Sequence, residues 1–197
     1  MGQTDQFVDS LREEFPGFRI IPKHASCLSR VIDLALRCVT LGRQRHYLTL
    51  YHTVIGRTLY VPRAWDTMAD LDRLILLRHE RVHLRQSRRF GSVLTALVYL
   101  VPIFPLGLAW GRARLEWEAY EETLRATAEL KGFVYAASPA LRDRIISRFV
   151  GPDYGWMWPF RNQVNRWYDD VLSRIQADFP TTKTEGYVDV EDEQSEA

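Results

Sequence analysis

The sequence predicts one α+β domain, mainly α-helical, with a small antiparallel β-hairpin or sheet just before its most strongly patterned helix. Three observations predict this. Apolar residues recur at helical spacing over most of the chain. The period shortens in a single Tyr-, Thr-, Leu- and Val-rich stretch, residues 46–62. Hydrophobic residues make up 46% and aromatic residues 12% of 197 residues, enough to build a core and too many for a disordered chain.

The elements follow in order. Residues 5–15 place Phe7, Val8, Leu11 and Phe15 on one side of a short helix, which Pro16-Gly17 stops. Ser26 to Thr40 carries Leu28, Val31, Ile32, Ala35 and Val39 at helical spacing, with Gly42 beyond. HYLTLYHTVIGRTLYVP, residues 46–62, reads as two strands joined around Ile55-Gly56-Arg57. Asp70 to Phe90 is a helix, and Ser92 to Trp110 is apolar without a single charge. Arg112 to Lys131 is a charged helix ended by Gly132. Ser138 is placed to cap a helix that has Pro139 at its first position and runs to about Val150. Residues 151–160 form an aromatic loop expected to close a small core, or else to line a substrate cleft, and 161–177 form a last amphipathic helix. The domain is therefore expected to span 1–177.

Residues 178–197 are expected to be a disordered acidic tail. Seven acids against Lys183 give the tail −6; the whole chain is +1, so the body carries +7. The polar, acidic N-terminus has no basic-then-apolar pattern of a secretory leader. Cys27 and Cys38 fit no CxxC pair, and the expectation is buried free thiols in a reducing, cytoplasmic setting.

The chemistry centres on His79-Glu80-x-x-His83 within the 70–90 helix. Residues four apart share a helix face, so the two imidazoles can bind one ion. Glu80 lies about 100° around, where it can reach a metal-bound water without ligating the metal. A hydrolytic zinc site needs a third protein ligand and one open position. The helix around 112–126 offers Glu116, Glu118, Glu121 and Glu122; the bland alternative for these carboxylates is a solvated face paired with Arg112 or Arg125.

His79-Glu80-x-x-His83 followed by Glu116-Trp117-Glu118-Ala119-Tyr120 on a second helix resembles the gluzincin class of zinc peptidases. It is distantly similar to the CAAX-prenyl endopeptidase type, whose ligand motif runs E-x-x-A-D. The likeness spans roughly residues 46–125. It implies a zincin-like core, Zn2+ held by His79, His83 and Glu116, and hydrolysis of a protein or peptide by a zinc-activated water with Glu80 as general base. Tyr120 stands where the motif has Asp, so Tyr120 or Glu118 must take over that residue's bond to a ligating histidine. Candidates for stabilising the oxyanion are Tyr120, Tyr154 and nearby arginines. The 46–62 strands match the edge strand on which such peptidases lay an extended substrate.

The nineteen uncharged residues 92–110 are long enough for one membrane crossing. A single crossing would put Glu116 on the opposite side from His79 and His83, and Pro102 and Pro105 interrupt the segment. It is expected to be buried in the protein or inserted into one leaflet as a peripheral membrane contact. Arg78, Arg81, Arg85, Arg88 and Arg89 face away from the histidines, towards solvent or anionic lipid. Two other readings remain. One is a non-catalytic zinc-stabilised binding protein, against which the intact Glu80 argues. The other is a membrane-surface or nucleic-acid adaptor using the arginine-rich helix, although no nucleic-acid motif accompanies it and no specific nucleic acid is expected.

Overall fold

The computed structural model describes residues 2–39, 52–91, 94, 95, 98, 107–151 and 157–178. The elements are α1 (Gln3–Glu14), β1 (Arg19–Pro22), α2 (Cys27–Val39), β2 (Thr53–Ile55), β3 (Thr58–Val61), α3 (Asp70–Phe90), α4 (Gly107–Lys131), α5 (Phe133–Ala136), α6 (Pro139–Val150) and α7 (Arg161–Asp178). The fold is mostly helical with one small three-stranded sheet, as expected of a mainly helical α+β chain.

The sheet differs from the expected hairpin by one strand. β2 and β3 pair antiparallel, with Thr53 opposite Tyr60 and Ile55 opposite Thr58. Their turn requires Gly56, whose φ is +60°. β1 joins the other side of β3 in parallel, so the strand order is β1-β3-β2. The segment RIIP is too short and too unpatterned to announce a strand; β3 recruits it through a backbone ladder. The part of the predicted hairpin at 46–51 lies outside the described residues.

α3 has Asp70 and Asp72 in its first turn and Arg88 and Arg89 in its last, each sign matching the helix dipole at its end. Gly91, at φ +83°, then turns the chain away. α4 returns antiparallel to α3: Asp72 pairs with Lys131, Arg78 with Glu122 and Glu129, and Gln86 reaches Leu115. α1 lies alongside α3 in parallel. Thr4 donates to the Asp70 carbonyl, and Glu14 accepts from Arg81 and Arg85. The arginine face of α3 is thus largely engaged by carboxylates from α1 and α4.

Two apolar clusters form on either side of the α3–α4 pair. One gathers Leu11, Phe15, Phe18, Leu59, Val61, Trp65, Leu77 and Leu84 from α1, the sheet and α3. The other joins α4, α6 and α7 through residues including Trp117, Phe149 and Tyr168. Met157 and Trp158, from the predicted aromatic loop, are buried in this second cluster, while 152–156 lie outside the described residues. The Ser138 cap is present, its hydroxyl accepting from the Leu141 amide.

Cys27 corrects an expectation. It is a free thiol but exposed, because it opens α2 at a helix end instead of facing a core; the side chain of Cys38 is outside the described set. Leu28, Val31 and Leu34 of α2 are also exposed. Most of 92–106 and all of 179–197 fall outside the described residues. Among the described residues, no helix is long and apolar enough to cross a membrane.

Candidate metal centre

α3 and α4 bring together the three residues expected to ligate. His79 Nε2 and His83 Nε2 are 3.1 Å apart, and Glu116 Oε2 is 3.9 Å from each. Among the described residues this is the group that could hold a metal ion. A triangle with those sides has its corners about 2.1 Å from its centre, within the ~2.0–2.2 Å at which imidazole nitrogen and carboxylate oxygen bind a transition-metal dication.

The hydrogen bonds behind the histidines decide what faces inward. Gln86 donates through Nε2 to the Leu115 carbonyl and to Glu118 Oε2, each at 2.9 Å. Its Oε1 must therefore be the atom 3.0 Å from His83 Nδ1, so Nδ1 carries the proton. Thr123 donates its hydroxyl hydrogen to the Ala119 carbonyl, and its oxygen lies 2.9 Å from His79 Nδ1, which again must be the donor. With both protons on Nδ1, both Nε2 lone pairs point into one spot beside a carboxylate oxygen. Two lone pairs 3.1 Å apart repel, and a cation between them removes the conflict. Burial holds His79 well below the usual histidine pKa, with the neighbouring His83 adding to the effect, so the ring stays neutral and able to ligate.

Glu80 is buried next to this group. Burial pushes its carboxyl up to about 7; His83 opposes the shift, Glu116 reinforces it and Lys23 opposes it. A carboxyl with that affinity for protons can take one and return it near neutral pH.

The other sequence candidates are placed as follows. Tyr120 packs its ring edge-on against His79, with centroids 4.9 Å apart at 69°. Glu118 reaches His83 indirectly, through Gln86. Tyr154 lies outside the described residues. Glu121 and Glu122 are half-buried and pair with Arg174 and Arg78, while Arg125, an expected partner, pairs with Asp178.

Four residues at the site escaped the sequence reading. Gln86 lies one turn beyond His83 and Thr123 one turn beyond Ala119, spacings that a search for outer partners of the histidines would have caught. Lys23 and His52 had no such signal. Lys23 is fully buried, donates to Thr53 Oγ1 at 2.9 Å, and its charge reaches Glu80. His52 stands edge-on to Trp65, with its Nε2 buried and lacking a hydrogen-bond partner among the described residues. Burial, with the charge of Lys23, lowers the His52 pKa to about 4.

No protein family, curated protein or solved structure matches the chain.

Proposed function

We infer that this protein is a zinc-dependent metallopeptidase of gluzincin type, built on a zincin-like core made of β2, β3, α3 and α4. The observation that carries the reading is the pair of inward Nε2 lone pairs set beside the Glu116 oxygen, with Glu80 held next to them. Two nitrogens and one carboxylate oxygen are a donor set that suits zinc and leaves a fourth position open.

A zinc ion bound there supplies Lewis acidity that brings the pKa of a water towards neutrality. The chain's residues do the rest. Thr123 and Gln86 fix the two imidazoles in their ligating tautomer. Glu80 accepts the proton of the attacking water and later delivers it to the leaving amine. Burial keeps bulk water from competing for that proton. A peptide carbonyl entering the site also needs a donor for its developing negative charge, and Tyr120, whose ring packs against His79, is a described side chain of the right chemistry.

The test combines metal content and hydrolysis. Elemental mass spectrometry of purified wild type and Glu80→Gln should show about one zinc per chain, with marked loss in Glu116→Ala. Against a fluorogenic peptide library, Glu80→Gln should lower turnover by about 10²–10⁴-fold while its zinc stays bound. Folded wild type that takes up no added zinc would end this reading; zinc retained in Glu116→Ala would mean another third ligand.

A further inference from the structure

Lys23 is fully buried, and the chemistry described so far does not use it. Several elements combine to place it. β1 ends at Pro22, opposite Val61 of β3, and Lys23–Ala25 then form one tight helical turn. The Ser26 amide closes that turn on the Lys23 carbonyl at 3.1 Å, and the Ser26 hydroxyl accepts from the Ser29 amide to start α2. From this turn the ammonium crosses the end of β3 to Thr53 Oγ1 on β2, at 2.9 Å, and β2 packs on α3. An ammonium has three N–H donors. Thr53 takes one, which leaves the others for Glu80 and Asp33, carboxylates whose charge acts on Lys23.

α2 is turned towards the same point. It buries Ser29 and Asp33, at 0% and 6% exposure, and leaves Val31 and Leu34 63% and 64% exposed. A helix packed for stability alone would turn its aliphatic face inward. The inversion gives the buried ammonium a carboxylate from α2, and Asp33 favours its charged form. The cation is thus held in place from the sheet and from α2, within reach of Glu80 on α3.

Glu80 answers to two positive charges. A dication at His79, His83 and Glu116 would draw its carboxylate into the fourth position, which a hydrolytic site must leave to water. Lys23 draws it instead towards an ammonium anchored on Thr53. We propose that Lys23 is a positioning residue that holds the Glu80 carboxylate back from the metal and so keeps the fourth position open. This rests on the peptidase reading for the metal and for Glu80 as its base; the anchored ammonium does not depend on it.

The experiment is a double-mutant cycle of Lys23→Met and Glu80→Gln on the full chain, read as zinc affinity against a competing chelator and as turnover of the fluorogenic peptides. Lys23→Met should bind zinc about tenfold more tightly than wild type, because Glu80 can then ligate, and the gain should vanish in the Glu80→Gln background. A merely structural lysine would give the opposite sign, since a disturbed site loses metal. Turnover by Lys23→Met should fall by roughly 10–100-fold with KM little changed. Thr53→Val keeps the ammonium and removes its anchor. It should shift zinc affinity in the same direction by roughly threefold, and it decides the question if Lys23→Met does not fold. Zinc affinity unchanged or weakened in Lys23→Met would overturn the proposal. So would tightening that persists beside Glu80→Gln, which would come from the lost positive charge alone. Coupled zinc affinities with no peptide cut by wild type would sink the peptidase reading and leave the positioning standing. Peptide cleavage with uncoupled affinities would do the reverse, and a wild type that takes up no zinc would sink both.

Discussion

The two apolar clusters differ in what they bury beside their hydrocarbon. The C-terminal cluster of α4, α6 and α7 is rich in aromatic rings; the hydroxyl of Tyr168 is satisfied by the Ala136 carbonyl, while Trp117 Nε1 is buried without a hydrogen-bond partner among the described residues. The N-terminal cluster of α1, the sheet and α3 is flanked by buried Lys23, Thr58, Glu80 and Gln86. Buried charge is costly, and a fold that needed only stability would replace it with hydrocarbon. The contrast separates the molecule into a half closed by hydrocarbon and a half that also buries charge, with α3 and α4 as the seam. Glu116 and Thr127 of α4 are buried as well, and the histidines of α3 face Glu116 across the seam.

The largest expected effect tests the half closed by hydrocarbon. Phe149 is fully buried, so Phe149→Ala should lower unfolding stability by about 3–5 kcal/mol. Urea denaturation would show it as a shifted midpoint with the slope kept. A shift under about 1 kcal/mol would mean that this cluster is loosely packed and that the division fails.

Next comes the buried charge on the other half. Burial lowers the Lys23 pKa from 10.5 to about 8, against the pull of Glu80 and Asp33. Between those two values the unfolded chain still holds the proton that the folded chain has released, so stability should rise with pH from about 8 to 10.5. Below pH 8 the penalty is present in full. The rise is worth up to about 3 kcal/mol, and Lys23→Met should abolish it. Parallel pH profiles for the two proteins would show that Lys23 is solvated after all.

The outer partners of the histidines offer a finer comparison across the seam, since Gln86 is on α3 and Thr123 on α4. Gln86→Leu and Thr123→Val should each weaken zinc binding by about 10–100-fold, roughly 1.4–2.7 kcal/mol, when titrated against a competing chelator. The expectation is similar losses on both sides. A loss in only one variant would identify the other histidine as a bystander. The smallest effect belongs to the sheet: Gly56→Ala, at φ +60°, should cost about 1 kcal/mol in thermal denaturation and leave zinc affinity unchanged.

Much of the secondary structure was legible in the sequence. Helices α3 and α6 and the Gly56 turn follow from periodicity, capping and turn chemistry, which are local properties. Strand β1 was not legible, because its partner β3 lies far along the chain and RIIP has no pattern of its own. Short α5 was missed for a similar reason: it is one turn set between the ends of two longer helices. The exposure of Cys27 shows the same limit, since apolar spacing says which residues share a face and not what covers that face.

At the site, the sequence by itself determined the pairing of His79 with His83 and the place of Glu80, because a helix repeats every 3.6 residues whatever surrounds it. It also narrowed the expected partner of the two imidazoles to a downstream carboxylate. Only the tertiary structure decided that Glu116 is the carboxylate that meets both imidazoles, while Glu118 serves Gln86 and Glu121 and Glu122 pair with arginines. It alone set the tautomers through Thr123 and Gln86, and brought Lys23 to Glu80 from the far side of the sheet. The reason is physical. Spacing along one helix fixes direction about one axis, whereas a site shared between elements depends on how those axes pack, and that is settled by the two cores on either side.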